Sequence, residues 1–163
     1  MTIKELSGDL LGSTAPYICH QVNCKGAMGA GVARSIRERW PVVFTRYKAF
    51  VDRTMALDRR KPSSVLMGEM LPVQVSDTQQ VLNLFGEDAF GRDGRRHTDY
   101  KAIYRCLEKA AGYCVNHNID RIALPYKMGA ARGGADWDVI LAMIKSAFNG
   151  TDITIEIWKL DMG

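Results

Sequence analysis

The apolar run Tyr17-Ile18-Cys19 leads directly into His20-Gln21-Val22-Asn23-Cys24-Lys25-Gly26-Ala27-Met28-Gly29-Ala30-Gly31, and Val32 to Arg39 follows with helical character. A buried strand that ends in an asparagine and three glycines and then enters a helix leaves few folds open. Glycine lets the backbone turn tightly and approach a ligand closely, and the unpaired N–H groups at a helix start favour an anion. The spacing Gly26-x-x-Gly29-x-Gly31 lacks the Gly-Lys-Ser/Thr of a Walker loop and the G-x-G-x-x-G order of a dinucleotide fingerprint. On these residues alone, a glycine-rich turn with no ligand stays open beside an anion cradle.

The same arrangement occurs a second time. Asp120 to Pro125 reads as a buried strand, Met128-Gly129-Ala130-Ala131-Arg132-Gly133-Gly134 as a glycine-rich loop, and Asp136 to Phe148 as a helix. Elsewhere, residues 2–6, Val81 to Phe85 and Ile153 to Leu160 have strand character, and Val65 to Met67 with Leu71 to Val75 read as one bent strand or a pair. Helices are expected at 30–39, stopping near Trp40-Pro41, at 42–57, and from the cap Thr98 to about His117. The stripe Ile103, Leu107, Ala110, Ala111 and Cys114 on the third of these is core packing. Strands alternating with helices predict a three-layer α/β/α sandwich with a mixed, largely parallel central sheet. Ligands of such sheets sit at the carboxyl ends of the strands, where both glycine loops would lie and could hold two phosphates or one diphosphate between them.

At 163 residues the chain is expected to form a single domain, 1–163, with an ordinary globular composition of 47% hydrophobic and 25% charged residues. No apolar stretch reaches the length of a membrane span, and Met1 to Glu5 lacks the apolar core of a secretory signal, so a cytoplasmic location with no membrane partner is expected. The net charge of +4 is too mild for a dedicated nucleic-acid binder. The basic clusters Arg34/Arg37/Arg39 and Arg59-Arg60-Lys61 read as solvated faces. The cluster Arg92/Arg95-Arg96-His97, in the glycine-containing loop from Gly86 to His97, stands near an anionic ligand or at an exposed turn. Cys19, Cys24, Cys106 and Cys114 fit neither a disulfide framework nor a paired metal motif and read as reduced thiols; no metal and no cofactor are expected.

Gly8-Asp9-Leu10-Leu11 after the first strand, Asn23 with Gly26 and Met28 to Gly31, and Leu124-Pro125 with Gly129 to Trp137 together resemble the macrodomain family, in order and over nearly the whole chain. The resemblance implies ADP-ribose binding. It places Asp9 on the adenine amino group with Leu10 beside it, Asn23 at the distal ribose, Gly29, Ala30, Gly31 and Val32 on one phosphate, and Gly129, Ala130, Ala131, Arg132 and Gly133 on the other. Pro125 and Lys127 join the binding set.

Within the family, His20 three residues before Asn23, Cys24 after it, and the Asn83-Leu84-Phe85 strand resemble the stand-alone phosphatases of ADP-ribose 1''-phosphate. In that branch a histidine at the place of His20 is implicated in catalysis, so His20 and Asn23 are the expected catalytic pair. An imidazole can exchange a proton near neutral pH or attack phosphorus, and the sequence does not separate the two. Lys127 or Arg132 would neutralise charge on the departing phosphoryl group. Lys127-Met128 stands where that branch carries an aspartate, and Asp136 has a capping role instead. Phe85 or Gly86 and Gly133 occupy the places of the lysine and aspartate with which another branch removes ADP-ribose from carboxylate side chains. The expected function is hydrolysis of ADP-ribose 1''-phosphate. A non-catalytic ADP-ribose-binding module and a hydrolase that frees ADP-ribose from protein or nucleic acid are the alternatives, and nucleic acid is a possible but not favoured partner.

Overall fold

The computed structural model describes residues 1–60, 62–89 and 95–160. Six strands, β1 (Thr2–Ser7), β2 (Tyr17–Asn23), β3 (Met70–Gln74), β4 (Gln80–Glu87), β5 (Arg121–Pro125) and β6 (Thr154–Lys159), form one sheet in the order β1-β6-β5-β2-β4-β3. Every neighbouring pair is parallel except β3 with β4, so the sheet is mixed and largely parallel. β2 lies between β5 and β4, which explains an almost unbroken buried run in place of the alternation of a half-exposed strand.

Among the described residues, four α-helices cover the two faces: α1 (Gly31–Arg39), α2 (Pro41–Leu57), α3 (Tyr100–Asn116) and α4 (Trp137–Ala147). Ile103, Leu107 and Ala110 of α3 and Ile140 and Ile144 of α4 pack on Cys19, Leu82, Leu84, Leu124 and Ile155. On the opposite face Ile36 of α1 and Val43, Tyr47 and Val51 of α2 pack on Val22, Val73, Val81 and Phe85. The expected three-layer α/β/α sandwich is the observed one. No described helix is long and apolar enough to cross a membrane.

Two local expectations are corrected. Val65 to Met67 is not strand: Ser63–Leu66 is a 3₁₀ turn, closed by Val65 N–H to Pro62 O at 3.2 Å and Met67 N–H to Ser64 O at 3.0 Å. Leu66 is buried from this turn without joining the sheet, while Val65 is exposed. The cap of α3 is Asp99, whose Oδ1 accepts Ala102 N–H at 2.9 Å, and not Thr98. Thr98 is buried and has a different task, described below. Arg92 lies outside the described residues.

Candidate active site

A pocket of about 550 Å³ opens at the carboxyl edge of the sheet, between the loop that follows β2 and the loop that follows β5. Its wall includes His20, Asn23, Gly29 to Ala33, Pro125, Lys127, Gly129 and Ala131 to Gly133. The two glycine loops therefore do face one another. Arg132 spans the gap: a Cβ placed on Gly31, whose φ is +60°, would lie 2.9 Å from Arg132 Nε. Glycine holds that left-handed backbone without strain and leaves space for the Arg132 side chain.

The start of α1 is open to a ligand. Its N-cap is Ala30, which has no side chain to accept from the first turn, whereas α3 and α4 are capped by the carboxylates of Asp99 and Asp136. The amides of Gly31, Val32 and Ala33 belong to the unpaired first turn, and these three residues line the pocket. On the second loop the N–H groups of Ala130 and Ala131 turn back to Lys127 O at 2.9 and 3.1 Å. Lys127 itself sits at φ +60° and turns the chain into that loop.

Asn23 organises the first loop. Its Oδ1 accepts Lys25 N–H at 2.9 Å and Ala27 N–H at 3.4 Å, and its Nδ2 donates to Ala27 O at 2.8 Å. One amide hydrogen remains for a ligand. Tyr47 on α2 braces this turn from below. Its hydroxyl lies 2.6 Å from Asn23 O and 2.9 Å from Asn23 Oδ1, sharing one proton between them, and it accepts Gly26 N–H at 3.1 Å. Burial pushes the phenol above its ordinary range. Tyr47→Phe strands buried backbone groups and is expected to lower the unfolding free energy by about 1–3 kcal/mol, read as a shift of the urea midpoint.

His20 is buried in the middle of β2, opposite Asn83 of β4 in the parallel register. Asn83 Nδ2 donates to Leu71 O at 2.9 Å, so Asn83 Oδ1 is the acceptor for His20 Nε2–H at 2.6 Å. That network leaves His20 Nδ1 bare, buried and without a partner. Burial is the larger cause that takes the imidazole down to about 4, against the opposing pull of the Asn83 hydrogen bond, so it is neutral at cellular pH.

Of the other expected residues, Asp9, Leu10 and Ala130 are not part of the pocket wall. Asp9 Oδ1 accepts Leu11 N–H at 2.9 Å and caps a 3₁₀ turn, and Leu10 is buried against Ala15, Ile18 and Ala123. Arg34 pairs with Glu38, Arg37 lies over the Phe44 ring, and Arg96 lies over Tyr100. The four cysteines are free and buried, and among the described residues no group of three or more His, Cys, Asp or Glu could hold a metal ion.

Several pocket features were not read from the sequence. Gln21 Nε2 donates to Thr98 Oγ1 at 2.9 Å, and Thr98 Oγ1 donates to Gly129 O at 2.7 Å, tying β2 to the second loop. His97 N–H and Thr98 N–H both reach Gly133 O, at 2.8 and 3.0 Å. Tyr126 and Glu87 also line the pocket. Burial, offset in part by His97, raises the Glu87 carboxyl to about 7. The available signal for Glu87 was an acid two residues beyond the buried run Val81 to Phe85, on the edge where such sheets bind ligands.

Comparison with known proteins agrees with this geometry. The chain is 28% identical to the DNA ADP-ribosyl glycohydrolase of Mycobacterium tuberculosis over 145 residues, which is 87% of this chain and 37% of that protein. It thus spans little more than a third of the length of the curated relatives it matches. The macrodomain of Mycobacterium tuberculosis DarG superposes with a TM-score of 0.80 at 26% identity, covering 96% of this chain and 97% of that one. Thermosipho africanus DarTG in complex with ADP-ribose superposes at 0.77 and 16% identity, over 99% of this chain and 42% of that one. The Macro domain model matches residues 19–144, from inside β2 into α4 and so across both glycine loops; the chain belongs to the Macro domain family.

Proposed function

We propose that this chain binds ADP-ribose between its two glycine loops and hydrolyses an ADP-ribose derivative at the distal ribose, releasing ADP-ribose. The observation that carries the reading is the uncapped start of α1 facing the second loop across the pocket, with Arg132 reaching over Gly31. A diphosphate needs that kind of cradle: amide donors, a helix start and a cation, with no buried carboxylate on the phosphate side. Asn23, with one amide hydrogen left over, would take a hydroxyl of the distal ribose.

Two linkages at that ribose fit. A relative named for DNA ADP-ribosyl glycohydrolase activity supports a bond to DNA as the one cleaved. His20 supports the 1''-phosphate as a second reading, since its imidazole belongs to the pocket wall and keeps a buried Nδ1 without a partner. As a nucleophile it is poorly placed, being buried inside β2 and held through Nε2 by Asn83.

The test is calorimetric titration with ADP-ribose, together with product release from ADP-ribosylated DNA and from ADP-ribose 1''-phosphate. Expected is saturable binding of ADP-ribose and release of ADP-ribose from one of the two substrates. Free phosphate without release from DNA selects the second reading, binding without any release leaves a binding module, and absence of binding overturns the reading.

A further inference from the structure

Among the described residues lining the pocket, Glu87 supplies the one carboxyl group. Its backbone is fixed on both sides. Val22 pairs with Phe85, but Asn23 pairs with Glu87, so the extra residue Gly86 forms a bulge that brings Glu87 opposite the asparagine of the first loop. A bridge joins Glu87 to Thr98, and Asp99 N–H donates to Gly86 O at 2.8 Å. Other carboxylates here have structural work: Asp99 and Asp136 cap helices, and Glu156 is held by Ser13, Arg121 and Trp158. No hydrogen bond from another described residue reaches the Glu87 carboxyl. A half-buried acid with no hydrogen-bond partner among the described residues, held by a bulge at the rim of a ligand pocket, is placed for chemistry.

We infer that Glu87 is the group that moves the proton in the hydrolysis at the distal ribose. Its carboxylate takes a proton from water as the water oxygen bonds to C1'' of the ribose. The bond from C1'' to the leaving group breaks, its electron pair departs with the leaving group, and the proton is handed on to that group. The inference rests on the hydrolytic reading above.

An acid that titrates near neutrality can both accept and return a proton at cellular pH. The titratable groups around it are His97 beyond the Thr98 bridge, its neighbour Asp88, Cys24 and Tyr47 on the side of the first loop, and His20, Lys127 and Arg132 around the pocket. Of these, His97 lowers the carboxyl and burial raises it further.

Wild type, Glu87→Gln and Glu87→Asp should be compared for ADP-ribose affinity by calorimetry and for turnover of both substrates between pH 5.5 and 8.5. Glu87→Gln is expected to bind ADP-ribose within about threefold of wild type while kcat falls at least about a hundredfold. The wild-type rate should rise with pH through a limb near 7, which Glu87→Asp retains and the residual rate of Glu87→Gln lacks. Turnover of Glu87→Gln within about threefold of wild type, or a limb that survives in it, overturns the role of Glu87 alone. A wild-type protein that binds ADP-ribose and cleaves neither substrate overturns the hydrolytic reading and this role together.

Discussion

Gly133→Ala is expected to cost about 2–3 kcal/mol of stability and to weaken ADP-ribose binding about tenfold or more. A Cβ at this position would overlap the Thr98 hydroxyl and crowd Gly129 O, with Gln21 Nε2 at 3.1 Å. None of the three can retreat freely. Thr98 is held by its bonds to Gln21 and Gly129 O, and its N–H and that of His97 converge on Gly133 O itself. The backbone of the second loop must therefore shift, and that loop forms one wall of the pocket. Thermal or urea unfolding and ADP-ribose calorimetry on one variant measure both effects. Gly112→Ala is the control: it lies within α3 with nothing inside 4 Å of the added Cβ, and should stabilise by up to about 1 kcal/mol through helix propensity. Equal effects of the two substitutions would show that the packing around Gly133 has no special part in the loop.

The contrast between these glycines also marks how far the sequence could be read. The fold was legible because its signals are local. A buried run such as Val81 to Phe85 looks like a parallel strand in isolation, Trp40-Pro41 divides α1 from α2, and glycine clusters mark the turns. The placement of both glycine loops at one sheet edge followed from strand direction alone. The boundary at Val65 failed because three apolar residues do not distinguish a strand from a 3₁₀ turn that buries Leu66. Thr98 was misassigned because a hydroxyl before an acid looks like a cap, whereas its partner Gly129 lies 31 residues away. The asparagine beneath His20 shows the same limit. The sequence marks Asn83 only as part of a strand, and its contact with His20 appears when the β2–β4 register sets it 2.6 Å from the imidazole. Cross-strand register, the bulge at Gly86 and the contacts between loops are long-range facts with no local signature.

Below neutral pH, His20 and Glu87 are expected to act on stability in opposite directions. His20 is held at about 4, beneath its ordinary 6.5, so between those values the unfolded chain binds more protons than the folded one. Its contribution is complete above pH 6.5 and is lost on acidification, by about 3 kcal/mol once pH 4 is reached. Glu87 is raised to about 7 from 4.5, so over that interval the folded chain binds more protons and acidification stabilises it. Its effect is the smaller, since solvent reaches part of the carboxyl and screens it. Where the two windows overlap, from pH 6.5 to 4.5, wild-type stability should fall by less than His20 alone dictates. Glu87→Gln removes the compensation, and its urea midpoint should drop more steeply across that interval than wild type. His20→Gln keeps an amide N–H for Asn83 Oδ1 and loses the proton-binding imidazole, so its midpoint should hold or rise as the pH is lowered. Parallel pH profiles for all three proteins would mean that neither group is buried in the protonation state assigned to it, and the bare Nδ1 beneath the pocket would then lose its physical basis.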